Sequence, residues 1–196
     1  GEMSVSHNAP ATFPIGTTTV TFSASDAAGN TGTGTATVTV ADSNAPSLSA
    51  PSNITVAASD ASGTAKTQSA IAAFLSGASA SDDITSELSI SNDAPAVFPL
   101  GVTTVTFSVT DGNANTTTAT ATVTVTDQTA PVVSVPGNIT VAASSASGAA
   151  ATTAAIVAFL ADASATDNVD GEMSVSHNAP ATFPIGTTTV TFSASD

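Results

Sequence analysis

Asp42, Asp82, Asp83 and Asp111 lie in three separate stretches that read as turns: DSNAP at 42–46, SDDITS at 81–86 and DGNAN at 111–115. The pattern returns 85 residues later as Asp127, Asp167, Asn168, Asp170 and Asp196. A partial third set is Asp26 with Asn30. Asp is both a turn former and a short, hard oxygen ligand. Where several such carboxylates meet with no base beside them, they repel. Calcium, which accepts about six to eight oxygens, relieves that repulsion and is the cofactor these residues suggest. The competing reading is that Asp and Asn only cap their own turns through Asx hydrogen bonds. Glu2, Glu87 and Glu172 follow the middle turn and read as solvated acids.

The rest of the composition removes other chemistries. The 196 residues carry 15 acids against one base, Lys66, for a formal net charge of -14. Such a chain has no basic face for nucleic acid or anionic lipid. It has no Cys, Trp or Tyr, and its two His, His7 and His177, are one position seen twice. A thiolate site, a His-rich zinc site and a hydrolase triad are thereby excluded in practice. The paired Asp82 and Asp83 have no aromatic neighbours that would make an acid–base cleft, so the expectation is no enzyme. The longest apolar runs, near Ala154–Ala161, fall far short of the roughly 20 residues that span a bilayer, so no membrane insertion is expected. No export signal is visible within the segment.

The elements that carry the acids repeat. Residues 1–26 recur unchanged at 171–196, an offset of 170, and an offset of 85 aligns Asp42–Asp111 on Asp127–Asp196. Two unlike units of about 85 residues therefore alternate. The expected domains are 1–41, the C-terminal part of module A; 42–126, a complete module B; and 127–196, the N-terminal part of the next module A. Neither partial module is expected to bury a core alone. The segment reads as a window on a longer tandem array or filament.

Within 42–126, Ser47–Ala50 and Asn53–Ala58 read as short strands around Pro51. Ile71, Phe74, Leu75 and Ala78 follow helical spacing, which predicts a short helix within 67–77. Glu87–Ser91, Val102–Thr110 and Thr117–Thr126 alternate as strands, with Val105, Phe107 and Val109 inward. Phe13, Phe22, Phe98 and Phe107 are expected in the core, as are Phe74, Leu75, Phe159 and Leu160. Thr and Val suit such half-buried strands. Many short strands separated by turns predict an all-β chain of sandwich modules, each with a short helical insert.

The stretch TFPIGTTTVTFSASDAAGNTGTGTATVTV, followed by D..AP and P.NITV, resembles the HYR (hyalin repeat) module. It is also similar to the bacterial immunoglobulin-like and cadherin-like arrays of large surface adhesins, whose Asp-rich turn is matched by ATDNVDGEMSV at 165–175. Animal versions usually carry a disulfide, which is absent here, and the helical insert is not general to the family. The resemblance implies an extracellular or cell-surface, non-enzymatic adhesive or spacer role, often with calcium. In an immunoglobulin topology the incoming linker, the middle turn and the last hairpin turn share one pole. Asp42, Asp82, Asp83 and Asp111 are then expected to converge, as are Asp127, Asp167, Asn168, Asp170 and Asp196.

The function expected is a structural repeat of an extracellular stalk, filament or adhesin, a rigid spacer stiffened by calcium at its junctions. Its partners are neighbouring modules of the same array, with a surface or matrix ligand left open. The alternatives are a sugar- or protein-binding adhesion module, or an accessory domain of a secreted enzyme. A continuous covalent chain is the simpler polymer. The other form has strand 31–41 of one chain completing 127–196 of another.

Overall fold

The computed structural model describes residues 3–196. In chain order, β1 is Ser4–His7, β2 Gly16–Ser25, β3 Thr31–Val40, β4 Ser47–Ser49, β5 Ile54–Ala57 and β6 Thr64–Ala65. Helix α1, Ser69–Leu75, is followed by β7 Ser79–Ser81, β8 Ile90–Asn92, β9 Val97–Phe98, β10 Gly101–Thr110, β11 Thr116–Thr126, β12 Val132–Ser134 and β13 Ala149–Ala150. Helix α2, Ala154–Ala161, precedes β14 Ser164–Asp167, β15 Gly171–Met173, β16 Ser176–His177, β17 Thr182–Phe183 and β18 Phe192–Ser193. Among the described residues the fold is all-β with two short helices.

Pairing recurs at the period of the sequence. β4 pairs β7 as Ser47↔Ser81, and β12 pairs β14 as Val132↔Thr166. β6 pairs β9 as Thr64↔Phe98, and β13 pairs β17 as Ala149↔Phe183. β1 pairs β2 as Ser6↔Ser23, and β16 pairs β18 as Ser176↔Ser193. A side-chain latch repeats three times: Asn8, Asp93 and Asn178 each accept through Oδ1 from the backbone N–H of Thr21, Thr106 and Thr191, at 2.7, 2.7 and 2.8 Å.

Between Ala50 and Thr126 the longest sheet runs β5-β11-β10-β8, with β5 parallel to β11. Alternation along Thr116–Thr126 puts Ala121, Val123 and Val125 inward, all buried. Helix α1 buries Ile71 and Phe74, and Gln68 caps it by accepting from the N–H groups of Ala70 and Ile71. Gly63 and Gly148 hold positive φ, +110° and +108°. A Cβ at either would collide with the carbonyl oxygen of Phe98 or Phe183 on the paired strand.

The chain packs as two compact units. One takes the chain up to Ser49 with Ala78–Ser91 and Phe107–Ala119, and buries Val20, Pro46, Phe107 and Val109. The other takes Ala50–Gly77, Asn92–Thr106 and Thr120–Asp196, and buries Val56, Ile71, Phe98, Val105, Val123 and Ile156. Strands β10 and β11 each run through both.

Several expectations need correction. Phe98 and Phe107 are fully buried, but Phe22 is 41 % exposed, with the His7 ring edge-on to it at 6.0 Å. Phe13, Leu75, Phe159 and Leu160 are only half-buried. The strand expected at Glu87–Ser91 is confined to Ile90–Asn92. Gly186–Ser195 repeats the ten residues of β2, yet only Phe192–Ser193 is strand. β2 has β3 as its partner along all ten residues, and among the described residues no corresponding strand accompanies 186–195.

Candidate metal centre

Asp42 precedes β4, Asp82 follows β7, and Asp111 opens the turn between β10 and β11. That last turn is closed by Asp111 N–H donating to the Asn115 carbonyl at 3.0 Å, with Ala114 at φ +70°. The Asn115 side-chain amide reaches the Asp42 carbonyl at 3.3 Å, and Asn113 donates to Asp42 Oδ2 at 3.3 Å. Thr117 donates its hydroxyl to the Pro46 carbonyl at 2.6 Å. Gly112 N–H donates to Thr85 Oγ1 at 3.3 Å, tying the middle turn to the hairpin. Linker, middle turn and last turn are thus bound to one another.

Asp42, Asp82 and Asp111 then each offer a carboxylate oxygen, and these oxygens all lie within 4.8 Å of one another. Asp42 and Asp111 are each only 7 % exposed. One oxygen of each acid is taken by its own Asx turn: Asn44 N–H on Asp42 Oδ1, Ile84 and Thr85 N–H on Asp82 Oδ1, and Asn113 and Asn115 N–H on Asp111 Oδ1. Asp82 Oδ2 has no hydrogen-bond donor among the described residues. Burial pushes the Asp111 carboxyl up, but the Asn115 amide and the N–H groups of Asn115 and Asn113 outweigh it and hold its pKa below the ordinary value.

The second cluster repeats the first. Asp127, Asp167 and Asp196 offer oxygens within 4.8 Å of one another. Thr129 N–H caps Asp127 Oδ1 at 3.0 Å, and Val169 N–H caps Asp167 Oδ1 at 2.7 Å. Asp167 Oδ2 is buried with no hydrogen-bond partner. Val169 N–H, aided by the N–H groups of Asp170 and Asn168 against the opposing effect of burial, lowers the Asp167 pKa. A buried carboxylate oxygen without a donor is costly, and a cation beside it would offset that cost. The donor set, all carboxylate, suits a hard divalent ion such as calcium.

Other acids expected here are elsewhere. Asp83 Oδ2 accepts from the Asn44 amide at 3.4 Å and stays outside the cluster. Asn168 donates its amide to the carbonyls of Ala58 and Ser59 at 3.2 and 3.4 Å. Asp170, Glu87 and Glu172 are exposed, and Glu2 lies outside the described residues. Asp26 is capped by the N–H groups of Ala28 and Asn30 and by the Asn30 amide, at 2.9, 2.9 and 2.8 Å, the same turn as Asp111, with no second acid beside it among the described residues. His7 and His177 accept through Nδ1 from the N–H of Ala9 and Ala179, and Asn92 accepts from Ala94 in the same way. The position needs an acceptor, not an imidazole.

The turn-and-strand stretch around Asp26 is also the part of the chain that a family model matches. Residues 2–40 match the HYR domain. The HYR-matching stretch holds β1, β2 and β3, and its Asp26 turn is the geometry repeated at Asp111. No curated protein matches the chain. Among solved structures, it is similar to the extracellular cadherin domains 1–4 of protocadherin gamma B7, with 15 % identity and a TM-score of 0.34 over 92 % of this chain. The chain spans about half of that protein's length, 49 %. Among the described residues no helix is long and apolar enough to cross a membrane.

Proposed function

We propose that this chain is a non-enzymatic segment of an extracellular tandem array, a spacer whose junctions are stiffened by calcium. The observation that carries the reading is the Asp127–Asp167–Asp196 cluster, with its buried, unpartnered Asp167 Oδ2. Asp127 lies on the linker at 127–131, Asp167 ends β14 and Asp196 follows β18. An ion held by all three ties the linker to the body that follows it. Asp42, Asp82 and Asp111 do the same for the linker at 42–46. The module boundaries are 1–41, 42–126 and 127–196. The polymer's partners are its own neighbouring modules.

Small-angle scattering and thermal melting in calcium and in chelator test this. Calcium should raise the melting temperature and narrow the spread of particle dimensions. Asp127→Ala should remove the part of the gain that belongs to its cluster. Equal melting and equal scattering in the two buffers would contradict the reading.

A further inference from the structure

Three asparagines stand in the tripeptide Asn-x-Ser/Thr: Asn53-Ile54-Thr55, Asn115-Thr116-Thr117 and Asn138-Ile139-Thr140. In an exported protein this tripeptide accepts an N-linked sugar through the side-chain amide nitrogen. The sugar replaces one of the two hydrogens on that nitrogen. The fold therefore decides which asparagine can carry one. Its Nδ2 must be exposed, and its hydrogens must not both be engaged. Asn115 fails that condition. It is half-buried, and its Nδ2 donates twice, to Asp111 Oδ2 at 2.7 Å and to the Asp42 carbonyl at 3.3 Å. A sugar there would remove one of the bonds that hold the last hairpin and the linker.

Asn53 meets it. The residue is exposed and directly precedes β5, and its Oδ1 accepts from the Thr122 N–H at 2.9 Å. That bond occupies the oxygen and fixes the amide group. Nδ2 has no acceptor among the described residues. Thr55, the third residue of the tripeptide, is exposed as well. β5 is an edge of its sheet, order β5-β11-β10-β8, so among the described residues no further strand crowds a group attached at its start. Thr122 lies well inside β11, Thr116–Thr126, and residues 42–126 hold the whole repeat. The exposure of Asn53 therefore does not depend on chain outside these residues.

We propose that Asn53 is an N-glycosylation site. The donor is an oligosaccharide carried on a lipid diphosphate, delivered by an oligosaccharyltransferase. The bond that forms joins Asn53 Nδ2 to the anomeric carbon of the first sugar. The bond that breaks joins that carbon to the diphosphate, which leaves with the electron pair, and the proton lost from Nδ2 passes to a base of the transferase. Oδ1 takes no part, so the bond from Thr122 N–H survives the modification. The proposal rests on the extracellular reading, because such donors act on exported chains. Asn138 opens the same seven residues, NITVAAS, so the sequence sets an acceptor once per repeat of 85 residues. A bulky, hydrated group at the start of β5 also stands beside a free sheet edge, where it opposes pairing with strands of other chains.

The test uses the 196-residue chain exported from eukaryotic secretory cells. Peptide N-glycosidase in heavy-oxygen water turns each sugar-bearing Asn into a labelled Asp, which mass spectrometry then locates. The label should appear at Asn53 and be absent from Asn115. Thr55→Ala should abolish it at Asn53, since the change breaks the tripeptide at an exposed position and keeps the Asn53–Thr122 bond. Asn53→Gln should abolish it too. An exported chain with Asn53 unlabelled overturns the proposal, and so does a label confined to Asn115. Melting of the same chain in calcium and in chelator separates this site from the array reading. A calcium gain without a sugar at Asn53 overturns the site alone. A sugar at Asn53 without a calcium gain supports the site and contradicts only the stiffening by calcium.

Discussion

Asn113 donates its side-chain amide to Asp42 Oδ2 at 3.3 Å, across 71 residues of chain. Asn115 adds a second bond to the Asp42 carbonyl and a third, at 2.7 Å, to Asp111 Oδ2. Two amides of the last hairpin therefore hold the linker in place before any ion is considered. Asn30 occupies the equivalent turn and, among the described residues, hydrogen-bonds Asp26 alone. Asn115→Ala should cost about 2 kcal/mol in chemical denaturation, and Asn30→Ala roughly half of that. Equal costs would mean that the bond to the linker contributes nothing.

Identical or near-identical residues in unlike surroundings give a second comparison. Val123 is fully buried on β11, while Val38, at the same repeat position on β3, is 39 % exposed. Val123→Ala should destabilise by about 2 kcal/mol through lost burial and a cavity. Val38→Ala should change the melting of the monomeric chain by less than about 0.5 kcal/mol.

Much of this was legible in the residues. The alternation Val105, Phe107, Val109 and the helical spacing of Ile71 and Phe74 marked inward faces, and those five are buried. The acidic turns at 42, 82 and 111 could be placed together because each stands at the end of a strand or linker of known direction. What local sequence could not show was long-range. Residues 139–142 and 186–191 carry strand-forming sequence, but a strand needs a neighbour, and no local pattern says whether one is present. Asn168 stands beside Asp167, and its amide reaches the carbonyls of Ala58 and Ser59, 110 and 109 residues away in sequence. The linker-holding role of Asn113 and Asn115 had one visible signal, the DGNAN spacing, which by itself indicates only a turn.

The two glycines that oppose a carbonyl separate from those that merely turn. Gly63→Ala and Gly148→Ala must push back the Phe98 and Phe183 carbonyls as well as strain a positive φ. Gly101 has φ +96° with open space around it. Gly101→Ala should cost about 1–2 kcal/mol, the strain alone. Gly63→Ala should lower the melting temperature clearly more than Gly101→Ala does, and a smaller drop would show that β6 and β9 can move apart freely.

Acid should act through four carboxyls held below their ordinary value of 3.8: Asp26 by the Asn30 amide, Asp60 by the Ser62 hydroxyl and N–H, Asp111 by the Asn115 and Asn113 donors against burial, and Asp167 by Val169 N–H. Groups whose pKa is lower folded than unfolded stabilise the fold above the unfolded value, and that stabilisation is lost as pH falls through the folded one. Without calcium, the melting temperature should hold nearly level down to about pH 5 and then fall as pH drops below 3.8. Asn115→Ala should shift that fall to higher pH. A decline that begins near neutral pH would point to other groups.

The central claim is that three-carboxylate clusters bind calcium, and titration calorimetry on the chelator-treated 196-residue chain addresses it directly. Two sites should take up the ion. Asp42→Asn should remove one, and Asp167→Asn, which discharges the acid with the buried unpartnered oxygen, should remove the other. At a hundredfold excess over Kd the ion should add about 2.7 kcal/mol per site to the stability of the folded chain. Titration without heat, together with unchanged melting in calcium and chelator, would contradict the account and leave the acids as caps of their own turns.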